Sequence, residues 1–575
     1  AAMDSRGQPT SSRPGPSRQP VTLVAAFSRL KNIQWGEVAS LFVPLVAVLL
    51  PLPRMLGTAA TSMEEGNILV VASGILDGRL PHADVAYLYA PGSVWTVAGA
   101  FSVFGTSVVT ERLVGLAYRL LLLWGVHRLA RRWGLSTAAC ATLATWAVLA
   151  PFGLIAYPWV TGLALLAAGT ALVLDGEDRR TAAVGAGLCG LAVFHHVVLA
   201  PAALLVVVTA FATATDERRT RLGTGLVAGL FPFLLHMVLV GPRAMVEGMV
   251  VDPVVRLRAG RRLPLPPDPD DSGDFFARLD DLVRGPDRLP GLDRPAQIAA
   301  LFWLLLAATL VLLVVAWRWR GSGRSRLTTM ALVGAALVPM VLQRPSPNHL
   351  KFVGAWTVAV CVVAIAAPLG ALTGRPSRGA TGRRLGHLAP PLALIAVLGG
   401  LAVVAPHHIG RFTVDAFTDA PMNGATATVI HDGRTLPVGR GAGADAVADE
   451  IDRVVDLVDA LTRPGDRVFV GPTDLTRTNY SDTFLYFLLP DLVPASRHVE
   501  MNPGLANRSG SGLAADLATA DVLILTDRFD GWSEPNASTE PGDLAPAAVV
   551  ANRFCDVGGT STWRVLTPCA APGDR

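Results

Sequence analysis

Two adjacent carboxylates, Glu64 and Glu65, stand directly after the first long apolar run of the 575-residue chain. A carboxylate at a membrane–water boundary can take the proton of an attacking hydroxyl or hold a divalent cation. Low-dielectric surroundings would raise its pKa toward a useful base strength. The same loop goes on through His82 and Asp84. Far away in sequence, the connector 343–351 gathers Arg344, His349 and Lys351, and Lys351 is one of only two lysines in the chain. Three cations in one connector suit a phosphate leaving group. His195-His196 breaks another apolar run, where polar side chains are costly and often functional. Adjacent histidines do not share a helix face, so a metal there would need ligands from elsewhere. The plainer alternatives are solvated loop acids, a polar turn and hairpin-turn histidines.

The elements that must position these residues are spans. About half of the residues are hydrophobic (51%) and only 16% are charged, whereas a soluble domain carries nearer a quarter. The apolar blocks fall between 37 and 406, and only a bilayer can accommodate that many. The net charge of +4 is scattered over Arg-rich connectors and does not suggest a nucleic-acid partner. The expected organisation is a disordered cytoplasmic tail over 1–32, a transmembrane domain over 33–406 with outer loops 57–85 and 242–296, and an extracytoplasmic α/β domain over 407–575. Twelve candidate spans run from 37–56 to 389–406, and 182–214 reads as one long helix or as a hairpin turning at His195-His196.

Five arginine clusters lie on one side if 182–214 is a hairpin, from Arg128–Arg132 to Arg375–Arg384. The front end conflicts with this unless one early segment is re-entrant or interfacial. An inside N-terminus and an outside tail require an odd number of crossings, about 11 or 13. In the tail, a helix over 445–462, strands at 467–470, 521–526 and 561–567 and a short helix over 481–489 suggest a small α/β domain. A Cys555–Cys569 disulfide is plausible if the tail is exported. The stretch 477–482 and Trp532 could line a carbohydrate site, and the amphipathic stretch 245–250 could lie in the membrane interface.

The acidic pair, an apolar helix ending in Gly78, Pro81-x-x-Asp84, Tyr89-Ala90-Pro91-Gly92, Phe104-Gly105 and then Glu111-Arg112 together resemble the GT-C superfamily of membrane glycosyltransferases. The nearest resemblance is to its polyprenyl-phosphate-dependent mannosyl- and arabinofuranosyltransferases of actinobacteria. The resemblance implies a GT-C-like polytopic α-helical membrane protein with a soluble C-terminal α/β domain. It implies inverting transfer of a sugar from a polyprenyl-phosphate carrier to a glycan, lipid or protein acceptor of the cell envelope, at the outer face of the plasma membrane. Glu64 or Glu65 would be the base, with His82, Asp84, Arg112, His195, His196, Arg344, His349 and Lys351 around the substrates. A divalent cation is compatible with this chemistry, and the sequence specifies no ligands for one. The competing classes are a transporter or flippase, which predicts internal symmetry and mid-span charges, and a non-catalytic scaffold of envelope assembly.

Overall fold

The computed structural model describes residues 35–176, 179–266, 294–373, 380–405, 426–440, 443–478, 480–530 and 536–569. The expected tail over 1–32, the segment 267–293 of the long loop, and Trp532 lie outside the described residues. The chain opens with α1 (Trp35–Leu49), then α2 (Met63–Leu76), α3 (Gly92–Phe104) and α4 (Val108–Ala130). Longer helices follow from Leu135–Leu149 to Ala380–Val404. Among the described residues, seven helices are long and apolar enough to cross a membrane, and shorter apolar helices complete the bundle. The chain is therefore a multi-pass membrane protein. The run 182–214 is a hairpin: Arg179–His195 ends, His196 is extended, and Ala200–Thr213 returns.

The apolar segment 86–105 is helical only over the 13 residues of α3. At about 1.5 Å per residue it is shorter than a hydrocarbon core of about 30 Å, as are α1 and Ala200–Thr213. Its last residues, Val103 and Phe104, are 71% and 77% exposed, as expected of apolar side chains facing lipid. If α3 dips and returns, α1, α4 and the nine longer helices between Leu135 and Val404 make eleven crossings among the described residues. The arginine connectors at 128–132, 179–180, 218–221 and 318–326 then fall at one end of the bundle, and Glu64, the 153–157 turn, His196 and Arg344 fall at the other; in the fifth connector Arg375 and Arg378 lie outside the described residues. At the arginine end Asp175 pairs with both Arg128 and Arg326 and ties three helices together.

The C-terminal domain is a five-stranded mixed sheet, order β4-β3-β5-β7-β6, of Arg467–Pro472 (β3), Val493–Pro494 (β4), Val522–Thr526 (β5), Phe554–Gly559 (β6) and Trp563–Pro568 (β7). The helix Ala444–Leu461 buries Ile451, Val454, Val455 and Val458 in the same core as β3 and β5. A hairpin of Ala427–His431 (β1) and Arg434–Gly439 (β2) precedes it and was not expected from the sequence. Cys555 and Cys569 are disulfide-bonded, as anticipated.

This domain sits on α2. The Thr483 hydroxyl donates to the Met63 carbonyl at 2.8 Å, and the Ala86 amide donates to the Arg497 carbonyl at 2.9 Å. A Cβ on Gly66 would collide with Thr483 and the Phe484 amide, so only glycine permits this approach. Gly66→Val is expected to loosen the domain, seen as faster limited proteolysis within 407–575 in the full-length protein while the bundle stays intact.

Candidate functional site

Ser62 caps α2 by accepting from the Glu65 amide at 3.2 Å, which places Glu64 and Glu65 in the first turn, where the helix dipole favours anions. Neighbouring positions on a helix point different ways, and the two acids part company. Glu65 is fully buried and grips Arg112 through both carboxylate oxygens, at 2.7 and 2.8 Å. Arg112 also donates to the carbonyls of Leu56, Thr58 and Ala59. That pair is a joint between α2, α4 and the chain leaving α1. Glu111 beside it accepts from the Ala156 amide at 2.6 Å, and Arg119 donates to the Ile155 carbonyl, so the 153–157 turn is fastened to α4.

Glu64, only partly exposed, faces another group of charges. Burial raises its pKa and nearby Glu500 adds to this, while Arg261 and Arg344 pull it back. Arg261 and Arg344 line one wall of an open cleft with Tyr89, His196, Gln343 and His349. Arg261 donates to the Tyr89 hydroxyl at 2.9 Å, and Arg344 donates to the Arg261 carbonyl at 2.6 Å. Burial disfavours charge on Arg261, but Tyr89 and Glu500 more than offset it and its pKa rises, so it stays cationic. The remaining lining is mostly apolar and includes Val197, Val198, Val254 and Met340. His196 stacks on Trp159 with ring centroids 3.5 Å apart, and its Nε2 is buried without a hydrogen-bond partner. A cationic, aromatic cleft with an apolar flank can hold a phosphate whose tail runs into lipid.

The other anticipated residues lie elsewhere. His195 sits inside the bundle, 2.9 Å from the Thr161 hydroxyl. The Lys351 ammonium lies 5.0 Å from the centre of the Phe152 ring and is not in the lining of the cleft. Asp84 is an exposed turn residue that accepts from the Leu80 amide at 2.7 Å.

His82 supports the cleft from behind. The Trp95 indole can only donate, and it donates to His236 Nδ1. His236 therefore carries its proton on Nε2 and donates to His82 Nδ1 at 3.1 Å, and His82 Nε2–H donates to the Tyr89 carbonyl at 3.0 Å. Both rings must be neutral for this chain to hold. Burial and the neighbouring His236 push His82 down to about 4, consistent with that assignment.

Arg261, Glu500, Tyr89 and Trp159 were not singled out as site residues from the sequence. Arg261 stands among other loop arginines, and Glu500 lies 435 positions beyond Glu65, so nothing local marks either. In the tail, Asp482 is instead an internal anchor, accepting from Arg528 and the Trp563 indole at 2.7 Å each. Among the described residues the three groups close enough to share one metal ion are His431, Asp432 and Asp459 on the C-terminal domain, none of which lines the cleft.

No family model matches the sequence, and neither does any curated protein. The structure is similar to that of ArnT from Cupriavidus metallidurans bound to undecaprenyl phosphate, with a TM-score of 0.51 and 16% identity over 93% of this chain and 98% of that one. Apo ArnT from the same organism gives 0.49 and 15%, over 94% and 98%. The chain has the ArnT-like, GT-C-like fold: a membrane-spanning helical bundle carrying a C-terminal domain built on a sheet.

Proposed function

We propose that the protein is a membrane glycosyltransferase that takes a sugar from a polyprenyl-phosphate carrier. The observation that carries this reading is the apolar-flanked cleft walled by Arg261 and Arg344, two cations that lie near enough to Glu64 to act on its charge. The ArnT structure, which holds undecaprenyl phosphate, supports a lipid-phosphate donor for this fold. We place the cleft and the C-terminal domain outside the cytoplasm. The one-sided arginine connectors and the Cys555–Cys569 disulfide support that placement.

In the reaction, the acceptor hydroxyl oxygen forms a bond to the anomeric carbon as the bond from that carbon to the phosphate oxygen breaks. The electron pair leaves with the lipid phosphate. The hydroxyl proton goes to Glu64, and attack from the face opposite the leaving group inverts the anomeric centre. Arg261 and Arg344 hold the phosphate charge as it grows, with His349 and His196 beside them. Glu65 and Arg112 do no chemistry and hold α2 in register. The sugar and the acceptor are left to assay.

The test uses full-length protein in lipid nanodiscs and a panel of polyprenyl-phosphate sugars, following release of free lipid phosphate. Wild type is expected to consume at least one donor. Arg344→Ala is expected to weaken binding of undecaprenyl phosphate by about tenfold or more, as loss of a charge-assisted contact implies, and Arg344→Lys to recover part of it. Consumption of no donor and no binding of the lipid phosphate would refute the reading.

A further inference from the structure

We infer that the C-terminal domain completes the transfer site: Glu500, held over the face of α2 that presents Glu64, grips a second hydroxyl of the acceptor, so that the acceptor is a polyol rather than a simple alcohol. This rests on the function proposed above and deepens it.

The placement follows from the helix geometry. Glu64 and Asn67 are three residues apart on α2 and so share a face. The Asn67 side chain donates to a Glu500 carboxylate oxygen at 3.3 Å. Glu500 is therefore held over the same face of α2 that presents Glu64. It is 4% exposed, and among the described residues Asn67 alone is seen to donate a hydrogen bond to it. A carboxylate has about four lone-pair sites, and one shared donor leaves most of them for a ligand. Two carboxylates a short distance apart match a molecule that offers two hydroxyls: one gives its proton to Glu64, the other donates to Glu500.

Among the described residues, the titratable and charged groups near enough to Glu64 to act on its charge, or be acted on by it, are Tyr89 from the loop after α2, Tyr157 from the 153–157 turn, Arg261 and Arg344 from the cleft wall, and Glu500 from the C-terminal domain. Tyr480, also from that domain, lies near enough to Arg261 to act on its charge.

Two readouts on the full-length protein in nanodiscs test this. A hydrophobic carbodiimide modifies protonated carboxyls, so peptide mass spectrometry across a pH series gives the half-labelling pH of Glu64. Removing the negative charge in Glu500→Gln is expected to move that pH downward, and Arg344→Ala to move it upward. An unchanged half-labelling pH in Glu500→Gln overturns the inference. The second readout compares initial transfer rates to an alkyl glycoside and to 1-octanol. Wild type is expected to prefer the glycoside. Glu500→Gln is expected to cut that preference at least tenfold, because the glycoside rate falls much further than the octanol rate, and Glu500→Asp to restore part of it. An unaltered preference, or equal loss with both acceptors, also overturns it. If wild type uses no acceptor, the transferase reading fails by itself, and the labelling result alone decides whether Glu500 faces Glu64.

Discussion

Glu64→Gln is expected to reduce transfer by roughly 10²–10⁴-fold, the usual worth of a positioned general base, with the protein still folded and still binding undecaprenyl phosphate. The amide keeps the size of the side chain and loses its basicity. Glu64 is partly exposed, and among the described residues no ion pair to it is seen, so folding does not depend on its charge. The pH profile carries the same signature. Burial, with Glu500 adding to it, raises the Glu64 pKa, so the proton stays on the carboxyl to higher pH than on a free glutamate. Transfer should therefore rise with pH along an acid limb set above the ordinary carboxylate range and absent in Glu64→Gln. Initial rates measured across pH in nanodiscs check both points.

Glu65→Gln and Arg112→Ala should behave oppositely. Each is expected to destabilise the protein by about 3–5 kcal/mol, because breaking a buried ion pair strands a charge away from water. Glu65 is 0% exposed and Arg112 1%. Thermal unfolding in nanodiscs should show a large fall for either variant, and expression should fall with it. Any loss of transfer should scale with the folded fraction. The double replacement Glu65→Leu, Arg112→Met is expected to recover part of the stability. Recovery should stay incomplete, because the carbonyls of Leu56, Thr58 and Ala59 lose their donor.

Much of the bundle was legible because bilayer crossing imposes a length and an apolar composition that survive in a single sequence. The hairpin at His195-His196 was one of two readings of 182–214, the one that puts the arginine connectors on a single side. The front end was illegible for a physical reason. Residues 86–91 are apolar enough to read as part of a span, yet Tyr87 and Leu88 are buried and non-helical against the C-terminal domain, and helix begins only at Gly92. The β1–β2 hairpin had a usable signal that passed unread: Asp432-Gly433 at the turn, both at positive φ, between alternating β-formers.

The acidic pair was found from its position after the first apolar run. Which member is open to chemistry was not, since that depends on Arg112, which reaches Glu65 from another helix. His82, His195 and Lys351 carry reactive side chains but are spent on the Tyr89 carbonyl, the Thr161 hydroxyl and the Phe152 ring. Arg344 and His349 line the cleft. Arg261 and Glu500 become visible only when the C-terminal domain is folded back onto α2.

The most direct test is a structure of the full-length protein in nanodiscs with undecaprenyl phosphate. The account predicts the phosphate within hydrogen-bond reach of Arg261 and Arg344, the chain leaving past Val197, Val198 and Met340, and Glu64 on the open side of the headgroup. A headgroup bound at the arginine-rich end of the bundle, or anywhere that leaves Glu64 and Arg344 without a shared ligand, would contradict it.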